Sequence, residues 1–304
     1  MKPLKRASQV NGVLLLDKPV GLTSNAALQR TKRLLNAAKA GHTGTLDPLA
    51  SGLLPLCFGE ATRFSGALLD ADKSYLARIR LGETTRTGDA EGEVLTRCAV
   101  DVSREQLAGC FQRFVGDIEQ TPPMFSALKH KGRPLYQYAR SGVQVEREGR
   151  TVTIRSIELE RFSGEDLEIR VTCSKGTYIR VLAEDIGQAL GCGAHLSGLR
   201  RTRVGEMSET AAIALPDLEA LSPSGRLEQL RPVDEFLSSF PAFTFDAEKA
   251  RRLLKGQPLA RSAEGGPGTV RLYDAEGRFL GLGDYDAEGI VRPKRVISLE
   301  ALCH

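Results

Sequence analysis

The 304-residue sequence contains no apolar run that approaches the roughly 20 residues needed to span a bilayer. Its first residues, MKPLKRASQVNG, carry basic side chains with no apolar stretch behind them, which is unlike an export signal. A composition of 41% hydrophobic and 26% charged residues is typical of a soluble globular protein. The chain is therefore expected to be cytoplasmic, with no membrane partner.

The cysteines lack any metal-binding or disulfide pattern. There is no CxxC pair, and no cysteine has a neighbouring histidine at metal-ligand spacing. We expect reduced, mostly buried thiols and no metal site. The six cysteines are Cys57, Cys98, Cys110, Cys173, Cys192 and Cys303.

Several cofactor and nucleophile motifs are missing as well. The chain has no GxxxxGKS/T loop, no GxGxxG that opens a helix, no HExxH and no GxSxG. Chemistry based on ATP, nicotinamide, zinc or an activated serine is therefore disfavoured, and no cofactor is expected.

Charge is nearly balanced, with 42 Lys and Arg against 38 Asp and Glu and a net charge of +4. This balance is a weak argument for a polyanionic partner. Basic residues nevertheless form local clusters, each of which taken alone is more often a solvated face than a nucleic-acid contact. The clusters are Lys2, Lys5 and Arg6; Lys129, Lys131 and Arg133; Arg147 and Arg150; Arg200, Arg201 and Arg203; and Arg251, Arg252 and Lys255. Together they favour a nucleic-acid partner.

Periodicity in the first part of the chain predicts a strand, a helix and a long irregular loop. Residues 12–16 form a short apolar run that is typical of a buried strand. Thr23 or Ser24 can cap a helix whose apolar face extends to Ala38. Between residues 41 and 55 both periods vanish, and irregular stretches rich in Gly, Thr and Pro often carry function.

The central part mixes strands and helices. Alternating apolar residues predict strands at 73–81, 152–159 and 167–173, with a loop at 83–92. Helical spacing predicts a helix over residues 179–190. No regular βαβ period is present, so the favoured fold class is α+β with a mixed, largely antiparallel sheet flanked by helices.

The C-terminal part has a different composition. Residues 221–241 are rich in Pro, Ser and Gly and are predicted to be a linker. Asp246 can cap a short basic helix, and three strands joined by glycine turns follow between residues 270 and 297. The chain is therefore predicted to comprise a large domain, residues 1–240, and a small β-rich domain, residues 241–304.

The irregular stretch contains an acid followed by a proline, Asp47-Pro48, flanked by glycines and small hydroxyl residues. This arrangement holds one carboxylate at a fixed angle on a loop that can approach another backbone closely. The alternative is that Asp47 merely begins a type I turn, which Asp-Pro favours. His42, likewise, is by residue type more often a turn or core histidine than a catalytic one.

Longer motifs point to a family. GHTGTLDPLASG at residues 41–52 is preceded by LDKPVGLTS and followed by KSY, and QTPPMFSALKHKGRPLYQYARSG, CSKGTYIRVLAEDIG and HLSGLRRTRVGEM come later. In content and order these motifs resemble the bacterial tRNA pseudouridine-55 synthases of the TruB type. The C-terminal strands resemble the small PUA-like domain of that family, which binds RNA.

The resemblance implies an RNA-modifying isomerase that acts on the T-arm stem-loop of tRNA. Such an enzyme breaks the N1 glycosidic bond of a uridine, turns the base and rejoins it through C5, without a cofactor. Asp47 matches the catalytic aspartate of the family. Attack on the sugar, attack on the base and assistance to an elimination all stay open.

The resemblance also implies roles for residues around Asp47. Arg180 matches an arginine that pairs with the catalytic acid, and Tyr75 matches an aromatic residue that stacks on the target uracil. Tyr178 and Leu199 match residues that line the pocket. The alternatives are a surface helix arginine for Arg180, a plain inward strand residue for Tyr75, and core packing for the other two.

Further residues match the RNA-binding parts of the family. His42 is expected to fill the space that the flipped base leaves in the RNA stack. The segment 120–150 is expected to close over the RNA arm, with Lys129, Lys131 and Arg133 on phosphates. Lys18 either contacts a phosphate or supports the catalytic loop from behind.

A pseudouridine synthase that acts on another RNA or on several sites is one alternative, and two other function classes remain as well. The chain could be an RNA-binding module with an inert catalytic scaffold, although Asp47, Tyr75 and Arg180 are all present. It could also be another hydrolase with an aspartate nucleophile, but residues 41–63 offer no second carboxylate at suitable spacing. Nothing in the sequence demands a dimer, so a monomer is expected.

Overall fold

The computed structural model describes residues 10–261 and 266–298. Its strands are β1 (Gly12–Lys18), β2 (Ala40–His42), β3 (Ala50–Phe58), β4 (Lys73–Leu81), β5 (Glu83–Thr85), β6 (Val94–Arg97), β7 (Gly116–Gln120), β8 (Lys129–His130), β9 (Arg133–Pro134), β10 (Arg150–Ser163), β11 (Asp166–Cys173), β12 (Ala194–Val204), β13 (Met207–Ser208), β14 (Ile213–Ala214), β15 (Ala242–Phe245), β16 (Leu259–Ala260), β17 (Gly268–Asp274), β18 (Phe279–Tyr285) and β19 (Ile290–Val296). The helices are α1 (Ser24–Leu34), α2 (Ser65–Asp70), α3 (Arg104–Gln112), α4 (Leu135–Arg140), α5 (Ile179–Ala189), α6 (Leu215–Ala220), α7 (Pro223–Leu227) and α8 (Ala247–Leu254), and short 3-10 helices span Gly59–Phe64, Glu209–Ala211 and Val233–Leu237.

Ten strands form the main sheet. Their order is β14-β1-β3-β12-β4-β11-β10-β7, with β2 beside β3 and β13 beside β12. The pairs β1–β14 and β3–β12 are parallel. The other pairs of this sheet in the described ranges are antiparallel. The predicted α+β class with a mixed, largely antiparallel sheet is confirmed.

The apolar run in β1 is explained by burial on both faces of the sheet. Leu14 and Leu16 point into the larger core, and Val13 and Leu15 point into a second core on the opposite face. A strand that is covered on both sides reads as a continuous apolar run rather than as an alternation. Helices α1, α3 and α5 cover the larger core, while α2 and two of the 3-10 helices cover the other.

Helix α1 is shorter than the periodicity predicted. Thr23 caps it as expected, since its hydroxyl accepts a hydrogen bond from the Ala26 amide at 3.1 Å. The helix ends at Leu34 rather than at Ala38, because Asn36 adopts a left-handed conformation with φ 49°.

The predicted irregular stretch at residues 41–55 is also shorter than expected. Its second half is β3, which lies inside the main sheet and contains Pro55. The Pro55 carbonyl accepts a hydrogen bond from the Thr43 amide, not from β1. Since the nitrogen and carbonyl of a strand residue face the same side, the missing N–H of Pro55 faces this short connection and costs the β1–β3 ladder nothing.

The prediction of a linker at residues 221–241 was wrong. Arg231 exchanges two backbone hydrogen bonds with Val13 of β1. Val233, Phe236 and Leu237 are buried in the second core. The segment therefore packs against the main sheet, because its apolar side chains are concentrated at residues 233–237, which cover the second core.

The predicted loop at residues 83–92 is largely a hairpin. Strands β5 and β6 pair in antiparallel fashion, and the turn between them folds back over β12, where Asp89 forms a bridge with Leu196. This hairpin places Asp89 in the protein interior, with 3% of its surface exposed.

The predicted small C-terminal β-rich unit is present. Its five strands are ordered β15-β17-β18-β19-β16, and they surround a third core together with α8. Asp246 caps α8 by accepting a hydrogen bond from the Lys249 amide at 2.8 Å, as predicted. The domain boundary at residue 240 stays a prediction.

Four of the five described cysteines are buried, and none of the five forms a disulfide; the buried ones are Cys57, Cys110, Cys173 and Cys192. Cys303 and the cluster of Lys2, Lys5 and Arg6 lie outside the described residues. Among residues 10–261 and 266–298, no helix is long and apolar enough to cross a membrane.

Candidate active site

The loop between β2 and β3, residues 43–49, carries Asp47 and is fixed from several sides. The buried hydroxyl of Ser24, at the start of α1, donates to the Leu46 carbonyl at 3.0 Å and accepts from the Leu46 amide at 2.7 Å. The Gly21 amide donates to the Pro48 carbonyl at 2.8 Å. The backbone on both sides of Asp47 is therefore held, and the carboxylate has a defined direction.

Asp47 forms an ion pair with Arg180. The distance between Asp47 Oδ2 and Arg180 Nη2 is 3.0 Å, and Arg180 Nη1 lies 3.3 Å from Oδ2 of Asp89. Arg180 also donates to the carbonyls of Thr87, at 3.1 Å, and Phe125, at 2.5 Å. The guanidinium is 6% exposed, so two carboxylates and two carbonyls hold a buried cation in one orientation.

Opposing effects set the charge of Asp47. Burial raises the pKa of its carboxyl group, the Arg180 guanidinium opposes that rise, and the Asp89 carboxylate adds to it. About two fifths of the side chain, 43%, is nevertheless exposed, because it faces an open cavity. The carboxylate is thus partly desolvated, paired on one side and accessible on the other.

The cavity beside Asp47 has a volume of about 540 Å³. Tyr75 from β4, Tyr178 and Arg180 from the start of α5, and Leu199 from β12 line it together with Asp47. These are five of the residues that the sequence predicted to act together. The other lining residues are Gly44, Thr45, Leu46, Leu69, Lys73, Ser126, Ala127, Arg150, Thr151, Val152, Ser174, Lys175, Gly176, Thr177, Ile179 and Arg201.

Tyr178 is positioned by a buried glutamine. The Gln120 side chain accepts a hydrogen bond from the Tyr178 amide at 2.9 Å and donates to its carbonyl at 3.2 Å. On its other side, the Arg150 guanidinium lies 4.9 Å from the ring centroid of Tyr178. These contacts fix the entry of the chain into α5 and hence the position of Arg180.

Lys18 is fully buried and lies behind the loop rather than in the cavity. Its amine donates to the carbonyls of Pro19, at 2.9 Å, and Leu22, at 2.6 Å. Burial lowers the pKa of the amine to about 8. This geometry leaves no exposed amine for a phosphate, and support of the Asp47 loop by Lys18 stays a prediction.

His42 and the basic residues of the β8–β9 hairpin do not line the cavity. His42 is half-buried on β2, and burial lowers the pKa of its imidazole, with Arg201 adding to the effect. Lys129, Lys131 and Arg133 are exposed on the β8–β9 hairpin, and within the described residues none of them pairs with a carboxylate. Whether these residues contact RNA stays a prediction.

Sequence reasoning missed three residues of the site. Asp89 was assigned to a loop, and Lys73 was read only as part of a strand; burial lowers the pKa of Lys73 to about 8. Arg201 was grouped with exposed basic residues, yet it is 1% exposed and lines the cavity. Its neighbour Arg200 pairs with Asp17 at 2.8 Å instead of facing solvent unpaired. The alternation of β12 was the signal that could have separated these two arginines.

The arrangement can support one kind of chemistry in particular. An oriented, accessible carboxylate in a cavity with aromatic walls can attack or stabilise an electrophilic ring system. In the described ranges, no three His, Cys, Asp or Glu residues are grouped so that they could hold a metal ion.

Family models match most of the chain. Residues 32–179 match the N-terminal domain of TruB family pseudouridylate synthases. Residues 180–238 match a tRNA pseudouridylate synthase B C-terminal domain, and residues 241–297 match the C-terminal domain of pseudouridine synthase II TruB. A relative from Dechloromonas aromatica, named tRNA pseudouridine synthase B, is 57% identical over 296 residues, which cover 97% of this chain and 98% of that protein.

The chain belongs to the TruB family of pseudouridylate synthases. The predicted family and the predicted enzyme class, an isomerase, are thereby confirmed. A tRNA pseudouridine synthase B from an Azoarcus species is 56% identical over 291 residues, which cover 96% of each protein.

Solved structures of the wider TruB-like fold are also similar. A chain in the crystal structure of a Cbf5-Nop10-Gar1 complex matches with a TM-score of 0.73 and 29% identity, covering 94% of this chain and 84% of that chain. A chain in the structure of an H/ACA RNP bound to a substrate RNA containing 2'-deoxyuridine matches with a TM-score of 0.70 and 26% identity, covering 97% and 92%. This TruB-family chain therefore shares its architecture with proteins found in RNA-protein complexes.

Proposed function

We propose that this chain converts the uridine at position 55, in the T-arm loop of tRNA, to pseudouridine, with Asp47 as the catalytic carboxylate. The observation that carries the proposal is the Asp47–Arg180 ion pair of 3.0 Å at the wall of a cavity that also contains Tyr75. Curated relatives that are 54–57% identical over nearly the whole chain are named tRNA pseudouridine synthase B.

The reaction is an isomerisation that balances without a cofactor. The bond between N1 and C1' breaks, the base turns within the cavity, and a bond between C5 and C1' forms while C5 loses its proton and N1 gains one. Asp47 acts on the sugar or on the base while the bond from C1' to N1 is exchanged for the bond from C1' to C5. Arg180 keeps the Asp47 carboxylate ionised and holds it in one orientation. A cavity of about 540 Å³ has room for a nucleoside to turn.

The target base must leave the folded T-arm before Asp47 can reach it. Flipping costs about a few kcal/mol of lost stacking, which contacts inside the cavity have to offset. Tyr75 stacks on the uracil, while Tyr178 and Leu199 form the other walls. His42 fills the gap in the RNA stack, and its lowered pKa favours a neutral ring, which suits stacking between bases.

The basic segment holds the RNA arm over the cavity. Lys129, Lys131 and Arg133 contact phosphates from the β8–β9 hairpin. The segment is mechanically connected to the site, because Arg180 donates to the carbonyl of Phe125 at 2.5 Å. The enzyme acts as a cytoplasmic monomer, with residues 1–240 as the catalytic domain and residues 241–304 as a PUA-like RNA-binding domain.

The proposal is tested with an unmodified tRNA transcript, in which pseudouridine is mapped after carbodiimide treatment. We expect the wild type and an Asp101→Asn control, which changes an exposed aspartate, to modify uridine 55 without added metal or nucleotide. Asp47→Asn should bind the transcript and leave uridine 55 unmodified. Binding without modification by the wild type would favour an RNA-binding module instead.

A further inference from the structure

Arg201 is the largest side chain that is fully buried in the described part of the chain, and it lies at the wall of the active-site cavity. Its Nε donates to the Leu53 carbonyl at 2.8 Å, and its Nη2 lies 3.3 Å from the Gly44 carbonyl. Gly44 belongs to the loop that carries Asp47, and Leu53 belongs to β3. The guanidinium therefore links the loop that carries Asp47 to β3, and two backbone carbonyls fix its orientation.

This buried cation has no acidic partner. In residues 10–261 and 266–298, no carboxylate oxygen lies within 4.0 Å of its nitrogens. Arg180, in the same cavity, pairs with both Asp47 and Asp89. A buried charge without a counter-ion costs stability, so Arg201 is poorly explained as a structural residue alone.

Tyr75 lies directly beside Arg201 on the neighbouring strand. The two residues are register partners on the neighbouring strands β12 and β4, so their side chains leave the same face of the sheet side by side. Burial raises the pKa of the Tyr75 hydroxyl, and the Arg201 guanidinium opposes that rise. Tyr75 is 9% exposed, and this exposed part of its surface faces the cavity.

We propose that Arg201 is a positioning residue for the pseudouridylation step: its fixed guanidinium holds the Tyr75 hydroxyl and thereby sets the plane in which the tyrosine ring meets the target base. This inference deepens the proposed function and rests on it. It reassigns Arg201 from the RNA-contacting surface, where the basic cluster had placed it, to the interior of the active site.

The test is a double-mutant cycle under single-turnover conditions on the T-arm substrate with saturating enzyme. The variants are Arg201→Met, which keeps the length of the side chain without the charge or the donors, Tyr75→Phe, which removes only the hydroxyl, and the double variant. We expect Arg201→Met to lower the rate at least about tenfold and Tyr75→Phe to lower it as well. In the Tyr75→Phe background, Arg201→Met should then cost less than about threefold, because the hydroxyl it positions is gone.

Strictly multiplicative effects of the two substitutions, or an Arg201→Met rate equal to that of wild type, would overturn the inference. RNA affinity separates it from direct RNA contact: positioning leaves the dissociation constant within about twofold, whereas loss of a phosphate contact weakens binding and lowers the salt slope by roughly one. Arg200→Met is the matched control, since Arg200 is the adjacent residue and pairs with Asp17 and Glu209 outside the cavity. We expect it to keep the single-turnover rate.

If Arg201→Met does not fold, as judged by thermal unfolding, Arg201→Lys replaces it in the same cycle, because lysine keeps the charge but cannot reach both carbonyls and Tyr75. A different outcome would contradict the proposed function without contradicting the role of Arg201. If the wild type modifies a uridine other than position 55, that proposal is wrong, while the coupling between Arg201 and Tyr75 is still measured at the uridine that reacts.

Discussion

Asp47 is a carboxylate whose charge depends on its neighbours. Burial favours the neutral acid, Arg180 favours the carboxylate, and Asp89 on the far side of Arg180 disfavours it again. Asp89 therefore has two opposing effects: its charge raises the pKa of Asp47, but its ion pair with Arg180 holds in place the guanidinium that lowers this pKa. The charge of Asp47 thus depends on burial and on two charged neighbours.

The acid limb of the pH profile should report this balance. In the proposed mechanism the active form is the ionised Asp47, so we expect the rate to fall as pH drops through the pKa of its carboxyl group. Asp89→Asn removes a negative charge that raises this pKa, so we expect the acid limb to move to lower pH. Single-turnover rates measured against pH test this, and an acid limb that moves to higher pH would contradict it. Asp101→Asn serves as the control.

The motif resemblance predicted that Asp47, Tyr75 and Arg180 act together, and the structure brings all three into one cavity. Asp89 and Arg201 were not predicted. Their surroundings depend on pairing between distant segments: Asp89 is buried by a hairpin that folds over β12, and Arg201 on β12 donates to a carbonyl of β3. A sequence shows the residue type but not which basic residue of a cluster faces inward.

At the scale of elements, the close approach of β3 and β12 requires a glycine. Gly52 has φ +95°, and an added Cβ would meet the Arg201 carbonyl at 2.3 Å and its nitrogen at 2.8 Å. Gly21 has a similar φ of +87°, but an added Cβ there would meet nothing within 4 Å. A residue with a Cβ would therefore be strained at both positions, but it would clash with a neighbouring strand only at position 52.

Gly52→Ala should destabilise the protein more than Gly21→Ala does. The left-handed conformation alone costs about 1–2 kcal/mol for a residue with a Cβ, and the clash in the sheet adds roughly 1–3 kcal/mol. Urea unfolding of both variants measures the difference. Equal losses of unfolding free energy would show that β12 can shift away from Gly52 freely.

The basic hairpin is the second element with a testable role. Lys131 and Gly132 both have positive φ, at 48° and 83°, and form the two-residue turn between β8 and β9. This turn presents the exposed side chains of Lys129, Lys131 and Arg133 on one projection of the surface.

Replacing these three side chains by glutamine should weaken RNA binding in a salt-dependent way. Each lost phosphate contact lowers the slope of log affinity against log salt by roughly one. The control is Arg104→Gln with Arg113→Gln, which removes exposed charges from the α3 region. The measurement is the affinity of each variant for the T-arm stem-loop, titrated at several salt concentrations. If the slope of log affinity against log salt is unchanged in the hairpin variant, phosphate contacts by these three side chains are excluded.

Strong periodicity was sufficient to predict β4, β11 and α5, and a short apolar run was sufficient to predict β1. The errors have identifiable causes. Helix α1 was predicted to be too long because left-handed Asn36 interrupts it, and β3 was missed because neither period is visible between residues 41 and 55. Pro55 also lies in this strand, although proline is rare in interior strands. In the structure, the nitrogen of Pro55 faces the short connection between β2 and β3, where no N–H donor is needed. The position of this connection depends on the tertiary structure and is not visible in the residues around Pro55.

At the scale of the molecule, the C-terminal unit packs directly on the main sheet. Phe279 packs against Phe64 with ring centroids 5.2 Å apart and ring planes tilted by 58°, and Leu282 joins the second core. Tyr273 donates to Asp234 at 3.0 Å across the same boundary. These contacts imply that both units unfold together.

Phe279→Ala should uncouple them. Truncating this partly buried ring costs about 2–4 kcal/mol, and the loss falls on the contact between the units. We expect one calorimetric transition for the wild type and two for this variant. Phe162→Ala, a partly buried phenylalanine within the main sheet, should lower the single transition without splitting it. A single transition in Phe279→Ala would show that other contacts dominate.

The most direct measurement is tritium release from a T-arm stem-loop that carries tritium at C5 of uridine 55. Pseudouridine formation replaces the C5–H bond by a bond to C1', so each completed turnover releases one label into water. The wild type should release it in a single turnover, and Asp47→Asn should be slower by at least about a thousandfold with unchanged RNA affinity. Release by Asp47→Asn at the wild-type rate would contradict the central role assigned to this carboxylate.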